Sequence, residues 1–165
     1  MTDAELLHPS VRRRLHEIGA RFEVMSCDPD LADTAAFVEA YGVPLDLSAN
    51  TIVVASRGAE PTYIACVVLA STSLDVNRVV RGEMGVRKVS FASADPVRAL
   101  TGMEIGGVTP FGLPDDLPIL VDARVMDAEW IVLGGGNRSS KLKLAPDLLR
   151  RLPAVRVLDG LAFIR

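Results

Sequence analysis

Apolar residues recur every three to four positions at the start of the chain, at Leu7, Val11, Leu15 and Ile18, with Pro9 near the front and Gly19 at the far end. That period predicts an amphipathic helix whose apolar stripe lies on a sheet. The period then shortens. Residues around Phe22 and Val24 alternate as a short strand, and Asp33 stands where it can cap a second helix running towards Tyr41 and Gly42. Two β-branched apolar runs, 51–55 and 63–70, are separated by Arg57, Gly58 and Pro61, the pattern of a hairpin buried in the middle of a sheet. A helical period returns at Leu74, Val76, Val79, Val80 and Met84 and stops at Gly85.

Residues 88–91 predict another strand, and Ser93 can cap a helix that turns Val97 and Leu100 inward and ends at Gly102. A long segment rich in Gly and Pro follows, up to Pro118. Strands are then predicted at 119–121, 130–133 and 142–144, a short helix at 146–152, and two last strands around Val157 and Phe163. Hairpin signals therefore coexist with strand-helix-strand crossovers, which predicts an α/β (α+β) fold with a mixed sheet. With no repeat and no linker, residues 1–165 read as a single domain.

Composition sharpens this picture. Apolar residues make up 49% of the chain and charged ones 24%, enough side-chain mass for a core and too little charge density for disorder. The formal charge of -3, without a long run of one sign, excludes a protein that coats nucleic acid, so any RNA contact is local. Arg12–Arg14, Arg78, Arg81, Arg87 and the Arg150-Arg151 pair are the available cations, and dispersed arginine is ordinarily a solvated surface. Cys27 and Cys66 stand far apart with no CxxC, which points to reduced thiols, with no disulfide framework and no metal site. Cys66 lies in an apolar run and reads as a small buried hydrophobe. The polar, acidic opening residues and the lack of a long apolar stretch predict a cytoplasmic protein with no membrane contact.

Two loops are candidates for chemistry. Residues 101–113 and 134–141 are both glycine-rich, and glycine lets backbone N–H groups approach a substrate oxygen that side chains would otherwise block. The plain alternatives are a surface connection and a loose hairpin. The second loop is no P-loop, because Lys141 follows Ser140 and a strand, not a helix, comes next; it also lacks the GxGxxG dinucleotide pattern. No Ser-His-Asp arrangement is visible, and His8 and His16 sit on the first helix as solvated or packed residues.

At these loops the chain resembles the YbaK family, the prolyl-tRNA-synthetase-associated editing domain. Gly106–Leu113 (GGVTPFGL) is similar to the family's GGxSPFG segment, with Thr109 where serine is common; Gly134–Arg138 (GGGNR) resembles its GxGxR loop, and Leu144–Leu148 (LAPDL) the segment after it. Asp122 falls in the intervening strand, as in the family. The resemblance implies a largely antiparallel curved sheet flanked by helices and a stand-alone, trans-acting aminoacyl-tRNA deacylase that needs no cofactor and no metal. It further implies a site in which Asn50, Gly135 and Gly136 carry catalysis, while Thr51, Gly107, Thr109, Pro110, Phe111, Gly112, Asp122 and Arg138 bind substrate. The implied partners are the aminoacylated 3′ end of tRNA and a synthetase, with the chain as a monomer or weak dimer. One departure is plain: family members carry a Lys-Thr pair on the strand after the second helix, and here the pair is Asn50-Thr51. An amide offers hydrogen bonds without charge. The substrate expected is a small amino acid such as Ser, Thr, Ala or Cys, a hydroxylated one fitting Asn50 best; the alternative is a degenerate module that binds aminoacyl-tRNA or a synthetase without hydrolysis.

Overall fold

A computed structural model describes residues 3–165; Met1 and Thr2, the first two residues of the predicted domain, lie outside the described residues. The first helix, α1 (Pro9–Glu17), starts with Pro9 in its first turn and with His8 at the cap, whose ring accepts from the Ser10 N–H at 3.2 Å. Its stripe of Val11 and Leu15 is fully buried. Helix α2 (Thr34–Tyr41) ends on Gly42 in the left-handed conformation at φ 70°. Asp33 does occupy its cap position, but the carboxylate makes no cap bond and reaches Arg138 instead.

The main sheet has the order β5-β2-β3-β6-β9, with β2 Ala49–Ser56, β3 Tyr63–Leu69, β5 Val89–Phe91, β6 Ile119–Asp122 and β9 Val155–Leu158. The pairs β2-β3 and β2-β5 are antiparallel, while β3-β6 and β6-β9 are parallel, so the sheet is mixed as expected. A second, antiparallel sheet of order β1-β8-β7 joins β1 (Phe22–Ser26), β8 (Ser140–Leu144) and β7 (Ile131–Gly134). It meets the main sheet through one parallel bridge, Ser48 to Val132.

Strand β3 explains why the sheet sits in the middle. Ala65, Val67 and Leu69 enter a core shared with α1, β7 and β8, whereas Ile64, Cys66 and Val68 enter a second core with Val80, Leu120 and Leu161. Both faces of this strand are dry, which is why its sequence is continuously apolar. Each such Val or Ile contributes roughly 1.5–3 kcal/mol when fully buried.

Two predicted elements differ, and one element was not predicted. Leu74 belongs to a short strand, β4 (Thr72–Leu74), which pairs with β10 (Ala162–Ile164), so the expected helix begins later, as a π-helical turn Val76–Val80 that runs into α3 (Arg81–Met84). The distant β10 wins Leu74 from a local helical period. The helix expected at 146–152 is a 3-10 turn, Pro146–Arg151. A one-turn helix α5 (Ala123–Met126), unexpected, leaves directly from β6, and α4 (Ala94–Thr101) follows Ser93 and ends on Gly102 as its sequence indicates.

Candidate functional site

Strand β2 is covered unevenly. Its Arg57-side end is zipped to β5: the Arg57 N–H donates to Lys88 O at 3.0 Å and the Ala92 N–H to Val53 O at 2.9 Å. Alternate residues of a strand present their backbone to the same side, so the Thr51 N–H and C=O also turn away from β3. The β5 ladder, however, covers only Val54–Ser56, and the bridge from β7 falls on Ser48, just before β2. Between these two contacts the sheets part and leave a cavity of ≈ 270 Å³, lined on one wall by β2 from Ala49 to Val53. That size suits a small ligand group.

The other walls come from the start of α2 (Asp33, Thr34, Phe37), the end of β5 (Phe91), the first glycine loop (Ile105, Gly106) and β7–β8 (Gly134, Lys141). Thr34 donates its hydroxyl to Asn50 Oδ1. This bond fixes the amide so that its NH₂ donors are the free part. Thr51 Oγ1 is buried and has no hydrogen-bond partner among the described residues. Phe91, 61% exposed, stands at the mouth.

Lys141 is the residue the sequence did not single out. It is 6% exposed, and its Nζ donates to Ala32 O at 2.7 Å and Gly106 O at 3.1 Å, with the Phe37 ring 5.0 Å away. Burial lowers its pKa from the usual lysine value; the charge of Arg138 acts in the same direction, and Cys27 and Asp33 act against it. In sequence it is one lysine of an alternating Lys-Leu-Lys-Leu strand, the ordinary look of a half-solvated β8.

Of the residues expected at the site, Asn50 and Thr51 line the cavity. The glycines stand behind it. The Gly136 N–H donates to Gly107 O at 2.7 Å, the Gly135 N–H to Ser140 O at 3.2 Å and the Gly107 N–H to Glu104 O at 2.8 Å, so these donors are engaged within the loops. A Cβ on Gly107 would collide with the Asn137 backbone, one on Gly134 with the Gly107 carbonyl, and one on Gly135 with Ser140 Oγ. Their service is close packing of two loops. Arg138 clamps the rim from outside, with bonds to Asp33 Oδ1 at 3.0 Å, Pro29 O at 3.0 Å and Ile105 O at 2.8 Å. Thr109, Pro110, Phe111 and Gly112 run through the interior beside α1, where a Cβ on Gly112 would meet the Ser10 backbone at 2.8 Å. Asp122 is fully buried under β10, paired with Arg124 at 3.4 Å. None of these last five residues lines the cavity.

Neither thiol resembles a nucleophile. Burial pushes the Cys66 thiol up to about 12 and raises that of Cys27 as well.

A family model described as the aminoacyl-tRNA editing domain matches residues 28–152, most of the chain and every wall of the cavity. The chain belongs to the aminoacyl-tRNA editing domain family. Among curated relatives of this editing family, the uncharacterized protein YwhH of Bacillus subtilis (strain 168) is 28% identical over 137 residues, covering 83% of this chain and 85% of its own. EbsC of Enterococcus faecalis (strain ATCC 700802 / V583), provisionally named a Cys-tRNA(Pro)/Cys-tRNA(Cys) deacylase, is 20% identical over 137 residues, covering 83% and 82%. Among solved structures, one described provisionally as a trans-editing enzyme for prolyl tRNA synthetase superposes with TM-score 0.76 at 24% identity, over 93% of this chain and 97% of that one. The hypothetical protein APE2540 superposes with TM-score 0.78 at 24% identity, over 91% and 97%. These likenesses establish the shared editing-domain fold. Among the described residues no helix is long and apolar enough to cross a membrane.

Proposed function

We propose that this editing-family protein acts in trans to hydrolyse the ester between a small amino acid and the 3′ ribose of tRNA. The observation that carries this reading is the cavity on the open stretch of β2, where the Asn50 amide, oriented by Thr34, faces a volume of ≈ 270 Å³. Such a volume admits a small amino acid such as Ser, Thr, Ala or Cys. The free NH₂ of the Asn50 amide favours a polar side chain, Ser or Thr, because it offers a hydrogen bond that an apolar side chain leaves unmade.

The reaction asks little of the protein. The ester is already activated, so positioning and stabilisation of the oxyanion suffice, with water as nucleophile and a ribose hydroxyl of the substrate as its local base. The raised thiols, and the placement of the His8–Ser10 pair outside the cavity lining, fit a route with no covalent intermediate. Since Gly107, Gly135 and Gly136 spend their N–H groups on carbonyls of the loops and of β8, the oxyanion donors in this reading are side-chain groups of the cavity, Asn50 Nδ2 first. Exposed Phe91 at the mouth is placed to stack on the terminal base, and the tRNA body lies outside the cavity.

The test is a deacylation time course on tRNAs charged with Ser, Thr, Ala or Cys, against a protein-free control and Asn50→Ala. Rapid loss of one or two esters, slowed in the variant, is expected. Decay of every ester at the spontaneous rate would turn the reading towards a module that binds the aminoacylated end without cleaving it.

A further inference from the structure

We propose that Lys141 supplies the positive charge that holds the ester carbonyl oxygen, and the oxyanion it becomes, in the cavity beside Asn50. This inference rests on the deacylase reading above. It starts from charge accounting at the cavity. Among its lining residues Lys141 is the one cation and Asp33 the one anion, and the Asp33 carboxylate is already bonded by Arg138 at 3.0 Å. No salt bridge to Lys141 occurs among the described residues.

A nearby control shows how unusual that is. Lys143 lies two positions along the same strand and on the same face. Its Nζ has Glu23 at 3.7 Å, the Trp130 ring at 4.1 Å and a side chain 35% exposed. Lys143 needs nothing further. Lys141 is almost wholly buried, and two backbone carbonyls, Ala32 O and Gly106 O, take two of its three donors. A leucine or methionine would fill the same space without burying an ammonium that lacks an anion. A cavity-lining ammonium with a donor to spare is what a reaction that gathers negative charge requires.

The step balances as follows. The water oxygen bonds to the carbonyl carbon, and the C=O π pair moves to the carbonyl oxygen, which becomes the oxyanion held by Lys141 and Asn50 Nδ2. A water proton passes through the neighbouring ribose hydroxyl. When C=O re-forms, the bond from the acyl carbon to the ribose oxygen breaks, and that oxygen leaves with the proton as the free hydroxyl. The products are an amino acid and uncharged tRNA. Lys141 remains an ammonium throughout and acts by charge, not by proton transfer.

The groups that face it are Cys27 from the end of β1, Asp33 before α2, Arg138 from the second glycine loop and the Phe37 ring from α2. Burial and Arg138 together depress its titration below the ordinary lysine range. Turnover therefore falls on the alkaline side, at a pH lower than an exposed lysine would give.

Two variants separate charge from structure. Lys141→Met removes every donor, while Lys141→Gln removes the charge and keeps two N–H donors on a side chain one atom shorter. Enzyme-catalysed kcat, after subtraction of spontaneous hydrolysis, is expected to fall on the order of 10²–10³-fold in both, with KM changed only a few-fold and the alkaline fall abolished. Wild type active and folded Lys141→Gln within about 3-fold of its kcat would overturn the assignment alone. A wild type inert on all four esters overturns the deacylase reading itself. If Lys141→Met does not fold, Lys141→Gln and the wild-type pH profile decide: an alkaline limb at or above the value of an exposed lysine rejects the proposal.

Discussion

The glycine loops and the wall of β2 are neighbours of opposite character. The loops hold Gly107, Gly134, Gly135 and Gly136 so tightly together that each backbone group answers another, and an added Cβ would strike main chain or Ser140. The wall from Ala49 to Val53 is unzipped, with the Thr51 backbone and the Asn50 amide left towards the cavity. In a glycine-rich motif the absence of a side chain can serve contact between loops as well as contact with a ligand. Here the first use dominates, and the loops act by fixing Gly106 and Gly134 at the cavity's edge.

The comparison can be broken at its strongest point. Gly107→Ala places a methyl in the Asn137 carbonyl, and a loss of about 1–3 kcal/mol of stability or more is expected in denaturant unfolding. Activity should fall only in proportion to the folded fraction. Asn50→Ala should do the converse, slowing deacylation about 10²-fold while the unfolding midpoint moves little. An equal loss of stability in both would erase the distinction. A smaller effect is expected of Thr34→Val, which frees the Asn50 amide to rotate: roughly a 10-fold fall in kcat, checked in the same deacylation assay.

A pH titration of stability sharpens the comparison further. The Lys141 pKa is lowered in the folded chain, so between that value and the ordinary lysine value of 10.5 the unfolded chain binds the extra proton. Stability carried by this group therefore rises with pH through that window, and below it the cost is fully present. Chemical unfolding of wild type against Lys141→Gln should show this slope only in wild type. Cys66→Ala is expected to have the smallest effect on chemistry, because the thiol is buried in the second core and outside the cavity; deacylation per folded molecule should be unchanged.

Much of the fold was legible because local and distant preferences agree. The runs that became β2 and β3 are β-branched and bounded by turn residues, and a strand dry on both faces demands that composition. Leu74 was misleading because its partner Ala162 is far along the chain, so helical spacing carried no trace of the β4–β10 pair. The site was legible at Asn50 and Thr51, where the Lys-Thr resemblance marked the strand. Lys141 was not. Lys141 and Lys143 alternate with Leu142 and Leu144 in a pattern that looks amphipathic, and the difference between them arises only when α2 and the first glycine loop close over one of the two. Covering of a strand by a sequentially remote helix leaves no local signature.

The short unzipped stretch of β2 has a further consequence for life in a crowded cell. Unpaired strand edges invite other extended chains to add on, and many proteins blunt them with charge or proline. This edge carries apolar Ile52 and Val53 and neither device. Its protection is geometric: β5 closes one end at Val54, β7 closes the other at Ser48, and the opening between exposes the outward backbone of little more than Thr51. A foreign strand needs several consecutive bonds to hold and finds no room for them, whereas a single acyl group fits. The gap leaves room for the substrate proposed above and refuses the partner that would start fibrillar association.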